Sequence, residues 1–191
     1  MLRPDLVTLE TYLADALSLA PDRFLARYST PMLVVPSPGP ETLLSLRALV
    51  DLRRDDGGGT VERPAPAGPD AAGPLEILCL PVASRLGTAS NRVSLGRSPE
   101  ADVVLLDESV SRFHAELVWG ADLERAVVKD LGARNGTAVD GVPLPGNGRA
   151  EVAAGSMLCL GSMLLRYHSP ASFLAWLSVG APRSGALPRP R

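Results

Sequence analysis

Residues 92–141 read RVSLGRSPEADVVLLDESVSRFHAELVWGADLERAVVKDLGARNGTAVDG. Short β-like runs, Arg92–Leu95, Val103–Leu105, Ala115–Trp119, Ala126–Leu131 and Ala138–Val139, alternate with the turn residues Ser98-Pro99, Asn135-Gly136 and Asp140-Gly141. Apolar and β-branched runs of this length, bounded by Gly, Pro, Asn and Asp, predict strands joined by tight turns. No helix-length apolar period separates the runs. That argues against a parallel α/β sheet and points to an all-β sandwich or barrel.

The pattern extends in both directions. Leu75–Val82 precedes it, and Met157–Tyr167, broken at Gly161, follows it beyond the turn at Gly146-Asn147-Gly148. Ser172–Leu177, with Phe173, Leu174, Trp176 and Leu177 apolar, predicts a short closing helix. Upstream, Leu6, Leu9, Leu13, Ala16 and Leu17 recur at helical spacing between Asp5 and about Ala20, and Met32–Val35 reads as a short strand. Glu41–Arg54 is again helical in pattern, with Arg53 and Arg54 at the end where cations suit the helix dipole. Residues 55–74, DDGGGTVERPAPAGPDAAGP, are rich in Gly and Pro and poor in large apolar side chains. They predict a flexible linker, in which Thr60 is read as an ordinary linker threonine. Gly57-Gly58-Gly59 has neither a preceding strand nor a following Lys-Ser/Thr, so it is no phosphate loop. The expected organisation is therefore a helical or mixed segment over 1–54, the linker over 55–74, the β-sandwich with its closing helix over 75–179, and a disordered tail over 180–191. The first segment is left open between a partner-binding or oligomerisation module and one that packs on the sandwich.

Composition narrows the functions. The chain of 191 residues is 46% hydrophobic and carries a formal net charge of -2, so no global charge draws it to nucleic acid or an anionic membrane. Any anion site must come from a local cluster. Aromatic content is 4%, and no basic patch with interleaved aromatics is present. Cys79 and Cys159 lie in apolar runs and read as buried free thiols. Two Cys and two His, widely separated, have no metal-ligand spacing. No apolar run approaches the ~18 residues of a membrane span, and no leader pattern opens the chain. A cytoplasmic protein without cofactor or metal is expected.

Four turn segments carry the polar residues that matter: Gly96-Arg97, Ser111-Arg112-Phe113-His114, Asp130 through Asn135-Gly136-Thr137, and Leu158-Cys159-Leu160-Gly161. An oxyanion ligand needs planar, permanently charged donors and a hydroxyl, which Arg97, Ser111, Arg112 and Arg134 supply from loops. A hydrolase reading would pair Ser111 with His114, but no Gly-X-Ser-X-Gly turn presents the serine, and no enzyme activity is expected.

In order and spacing these segments resemble the forkhead-associated domain family over about Leu75–Tyr167. Asp140-Gly141 stands where the family often has Asn-Gly. The resemblance implies an antiparallel β-sandwich that binds a threonine-phosphorylated protein, an adaptor in signalling driven by an upstream Ser/Thr protein kinase. By position, Arg97, Ser111, Arg112 and Arg134 would contact the phosphate or adjacent peptide, and Asn135 would hydrogen-bond the peptide backbone. The family histidine is structural, so His114 would brace the loops. Gly96, Gly136 and Gly141 would meet backbone requirements, and Asp130 and Thr137 would stabilise the turn. The alternative is the same fold used as a phosphorylation-independent interaction or assembly module.

Overall fold

The computed structural model describes residues 9–35, 77–85, 90–121 and 123–180. The helix expected over 41–54, the linker with Thr60, and most of the tail lie outside them.

Eleven strands among the described residues form two sheets packed face to face. The first sheet contains β1 (Met32–Val35), β2 (Leu78–Pro81), β7 (Thr137–Val139), β8 (Val142–Pro143), β10 (Met157–Leu160) and β11 (Met163–His168), in the order β2-β1-β11-β10-β7-β8. The second contains β3 (Arg92–Gly96), β4 (Val103–Val104), β5 (Ala115–Trp119), β6 (Arg125–Asp130) and β9 (Arg149–Ala153), in the order β4-β3-β5-β6-β9. The pairings are antiparallel except β3 with β4, which is parallel and short. This is the expected sandwich with one parallel edge.

Alternation along the strands builds the core. In β5, Ala115, Leu117 and Trp119 are buried while Glu116 and Val118 are half-buried; in β6, Ala126 and Val128 point inward. Leu33, Val35, Leu158, Leu160, Leu165 and Tyr167 meet them from the first sheet. Tyr167 spans the layer, and its hydroxyl donates to the Leu123 carbonyl at 2.8 Å.

The first sheet is also covered on its outer face. α1 (Leu9–Ser18), α2 (Pro21–Arg27) and α3 (Pro170–Gly180) close a second core in which Tyr12, Phe24, Phe173 and Leu177 pack on Met32, Val34 and Cys79. Tyr12 meets Phe173 edge-on at 5.2 Å between centroids. Asp15 ties α1 to the end of α2 by accepting from the Tyr28 hydroxyl and pairing with Arg27 at 3.4 Å. The described N-terminal residues thus pack on the sandwich, and β1 pairs with both β2 and β11 inside it.

Three elements escaped the sequence pattern. α2 starts with Pro21 at its first turn and buries Phe24, but it is only seven residues long. β9 buries one apolar side chain well, Val152, because it is an edge strand. β8 is a two-residue edge piece. Leu17, read as part of the α1 stripe, is 78% exposed. Both cysteines are free; Cys79 is buried, with its thiol pKa pushed up to about 12 by burial, whereas Cys159 is half-buried and its thiol lies 3.1 Å from the Gly161 carbonyl.

Candidate functional site

Four loops meet at one end of the sandwich: the exit of β3, the entry to β5, the β6–β7 loop and the β10–β11 turn. Ser111 links the first three. Its carbonyl accepts the Arg97 N–H at 2.9 Å, its hydroxyl oxygen accepts the Arg134 N–H at 3.1 Å, and its own N–H donates to Nδ1 of His114 at 3.1 Å. Arg97, Ser111 and Arg134 are therefore each one hydrogen bond apart along the loop backbones. Because the Ser111 oxygen acts as acceptor here, its hydroxyl proton is left for an incoming oxygen. Nε of Arg97 donates to the Val110 carbonyl at 3.3 Å, which fixes the stem and leaves the terminal nitrogens to other partners. Arg97, Arg112 and Arg134 are exposed, and among the described residues none of them forms an ion pair with a carboxylate. Asn135 is exposed too, and one of its amide hydrogens is held by the Ser109 carbonyl at 2.8 Å.

Buried polar groups brace these loops. His114 is fully buried, accepts the Ser111 N–H on Nδ1, and lies 3.0 Å from the Gly136 carbonyl through Nε2. Those two partners require the tautomer protonated on Nε2. Burial lowers its pKa against the raising effects of the Gly136 bond and the Asp130 charge, so the ring is neutral near pH 7. Its Nδ1 faces the Ser111 backbone rather than the hydroxyl, which is not the arrangement of a base activating that serine.

Asp130 organises the β6–β7 loop. Oδ1 accepts the N–H groups of Gly132, Ala133 and Asn147 at 2.7, 3.1 and 3.3 Å, and Oδ2 accepts the Thr137 hydroxyl at 2.6 Å. Burial raises its pKa, but these bonds outweigh that cost and hold it below the usual carboxylate value. Gly136 takes φ +70° where the chain turns into β7, and its carbonyl also accepts the Gly161 N–H at 3.0 Å. Gly96 is required for close approach: a Cβ there would lie 2.1 Å from the Arg112 carbonyl oxygen. Gly141 stands apart. With Asp140 (φ +49°) it makes the β7–β8 turn, at the opposite end of β7 from Gly136.

The sequence reading passed over a second brace. Asp107 Oδ1 accepts both the N–H and the hydroxyl of Ser109, at 2.8 and 2.6 Å, while the Ser109 oxygen accepts the Ser162 N–H at 2.9 Å. Together with Asn135 on its carbonyl, Ser109 joins the entry to β5 to both the β6–β7 loop and the β10–β11 turn. Short polar residues in loops give no periodic signal. The one available clue was Gly161, whose Cβ would lie 2.5 Å from the Ser109 carbonyl oxygen.

Comparison with known proteins places this loop cluster in a family. Residues 93–161 match the FHA domain model, a span from within β3 through β10 that includes the first three loops and the first residue of the β10–β11 turn. Among solved structures, the chain is similar to the FHA domain of the CT664 protein from Chlamydia trachomatis: 31% identity over 42% of this chain and 79% of that one, TM-score 0.38. An FHA domain studied for phosphothreonine-dependent interactions is 28% identical over 42% of this chain and 79% of that one, TM-score 0.37. The N-terminal FHA domain of S. cerevisiae Rad53p, solved with a phosphothreonine peptide, is 20% identical over 47% of this chain and 79% of that one, TM-score 0.38. No curated protein matches the chain.

Proposed function

Because this chain carries a forkhead-associated domain, we propose that it is an adaptor module that binds threonine-phosphorylated segments of partner proteins. The observation that carries the reading is Ser111: one residue holds the Arg97 backbone through its carbonyl and the Arg134 backbone through its hydroxyl. Three arginines and a hydroxyl proton thereby share one end of a rigid sandwich. A phosphate dianion bound there would take charge-assisted hydrogen bonds from Arg97, Arg112 and the Ser111 hydroxyl, with Arg134 closing the loop side. Asn135, tethered through one amide hydrogen, would present its remaining polar atoms to the peptide backbone.

Three or four hydrogen bonds to a charged ligand contribute roughly 1.5–3 kcal/mol each. After ordering and desolvation costs, an affinity of about micromolar is expected. The neutral, fully engaged His114 suits a bracing role and takes no part in chemistry. The phosphate would be supplied by a Ser/Thr protein kinase acting on the partner.

Calorimetric titration with matched phosphorylated and plain peptides tests the reading. Tight binding should require the phosphate and should fall at least about tenfold in Arg97→Ala and in Ser111→Ala. Equal affinity for both peptides would instead favour a phosphorylation-independent interaction module.

A further inference from the structure

The loops that meet at this end carry Arg97, Arg112 and Arg134, and also the carboxylates of Asp107, Glu108 and Asp130, which largely balance them. Two further cations stand on the outer face of the second sheet. Lys129 and Arg149 are both exposed and stand directly opposite each other across β6 and β9, at the end where β6 runs into the Asp130 loop. Like charges in that cross-strand position repel and destabilise the sheet.

Neighbouring carboxylates relieve this only in part. Glu116, opposite Lys129 on β5, is engaged by Arg92 at 3.2 Å. Glu151, two residues along from Arg149, lies 3.8 Å from Arg125. A chain with net charge -2 thus keeps two exposed cations, Lys129 and Arg149, side by side at the end of β6 that runs into its recognition loops.

Resting on the phosphothreonine reading above, we infer that the ligand carries at least one further anionic group flanking the phosphothreonine, and that Lys129 and Arg149 receive it. Lys129 precedes the loop-forming Asp130, and the Leu131 N–H already binds the His114 carbonyl at 3.0 Å. The pair therefore stands at the end of β6 that leads directly into the loop carrying Arg134, and an extended peptide advancing ~3.3 Å per residue can run from one to the other. A carboxylate and a second phosphate offer the same chemistry there.

The test is fluorescence anisotropy at low salt with the full chain and phosphothreonine peptides carrying, two to four residues to either side, alanine, glutamate or a second phosphothreonine. Exposed ion pairs are individually weak, so the expected gain of the glutamate or doubly phosphorylated peptide over the alanine one is roughly fivefold, shrinking as salt rises. Lys129→Ala/Arg149→Ala should erase that gain and leave the alanine-flanked affinity unchanged. Lys129→Glu/Arg149→Glu should reverse it in favour of the alanine flanks. Equal affinity for alanine, glutamate and doubly phosphorylated peptides, with binding still dependent on the first phosphate, overturns this inference alone. Binding indifferent to any phosphate overturns both it and the reading of the loops.

Discussion

Replacing Gly96 by alanine tests whether backbone packing sets the recognition geometry. The added Cβ would lie 2.1 Å from the Arg112 carbonyl oxygen, 2.8 Å from its carbon and 3.0 Å from the Phe113 Cα. Ordinary C···O contacts fall at ~3.3 Å or more, so the overlap exceeds about 1 Å, and every clashing atom is backbone. No side chain can rotate away. Relief requires the end of β3 and the Ser111–Phe113 segment to separate. That motion stretches the bonds from the Arg97 N–H to the Ser111 carbonyl and from the Ser98 N–H to the Arg112 carbonyl, both 2.9 Å. Overpacking at the upper end of its usual range costs about 3 kcal/mol, or a fall of roughly 10 °C in Tm. Displacing Ser111 and Arg112 should also weaken phosphopeptide binding by tenfold or more at temperatures where the variant is folded. Gly141→Ala is the control. It has φ +81° and no atom within 4 Å of its Cβ, so it should cost about 1–2 kcal/mol and leave affinity untouched. Urea unfolding and calorimetric titration of both variants separate the effects. A folded Gly96→Ala variant with full affinity would refute the reasoning, as would an equal affinity loss in Gly141→Ala.

Asp130→Asn removes a charged acceptor from four hydrogen bonds and should destabilise the fold by about 2 kcal/mol at pH 7, read by urea unfolding. Because the folded pKa of Asp130 lies below its unfolded value of 3.8, its contribution is present above that pH and is lost as pH falls through the folded pKa. The asparagine variant should lack that acid-side decline. His168 acts at higher pH. It is buried against Phe173 and Trp176, and its pKa is pushed down to about 4 by burial and by Arg166, with Ser172 opposing. Both states are neutral above the unfolded value of 6.5, and below it the unfolded chain takes a proton that the folded one refuses until about pH 4. Stability should therefore fall by about 3 kcal/mol across that window, and His168→Gln should flatten the decline.

The fold was legible where alternation was strong. β5 and β6 each place apolar side chains inward at every second position, and their neighbours end in residues with strong turn preferences. The loop residues were legible for a different reason: Gly-Arg, Ser-X-X-His and Asn-Gly-Thr are short local patterns, and each turn needs its own residue types. Gly96 and Gly136 illustrate this, one by a close approach and the other by positive φ. What the loops do to each other was not legible. That Asn135 commits an amide hydrogen to Ser109, and that Ser109 reaches Ser162, depends on residues 26 and 53 positions apart. No local pattern encodes such pairings, since serine and aspartate satisfy any nearby backbone group equally well.

The N-terminal strand shows the limit most clearly. Met32–Val35 was readable as a strand, but four residues between prolines say nothing about their partners. In the structure the strand lies between β2 and β11, with Leu33 opposite both Leu80 and Tyr167. The family match over 93–161 contains neither β1, β2 nor β11. A protein cut to that match would lose half the strands of the first sheet, and with them Leu33, Val35, Leu165 and Tyr167 from the sandwich core. It would also lose Tyr12, Phe24 and Phe173, which bury Met32, Val34 and Cys79 on the other side. Fully burying a large apolar side chain contributes ~1.5–3 kcal/mol, so the four inner residues alone carry on the order of a small domain's whole stability. The loops around Ser111 therefore depend on a folding unit that begins well before the segment bearing their motif.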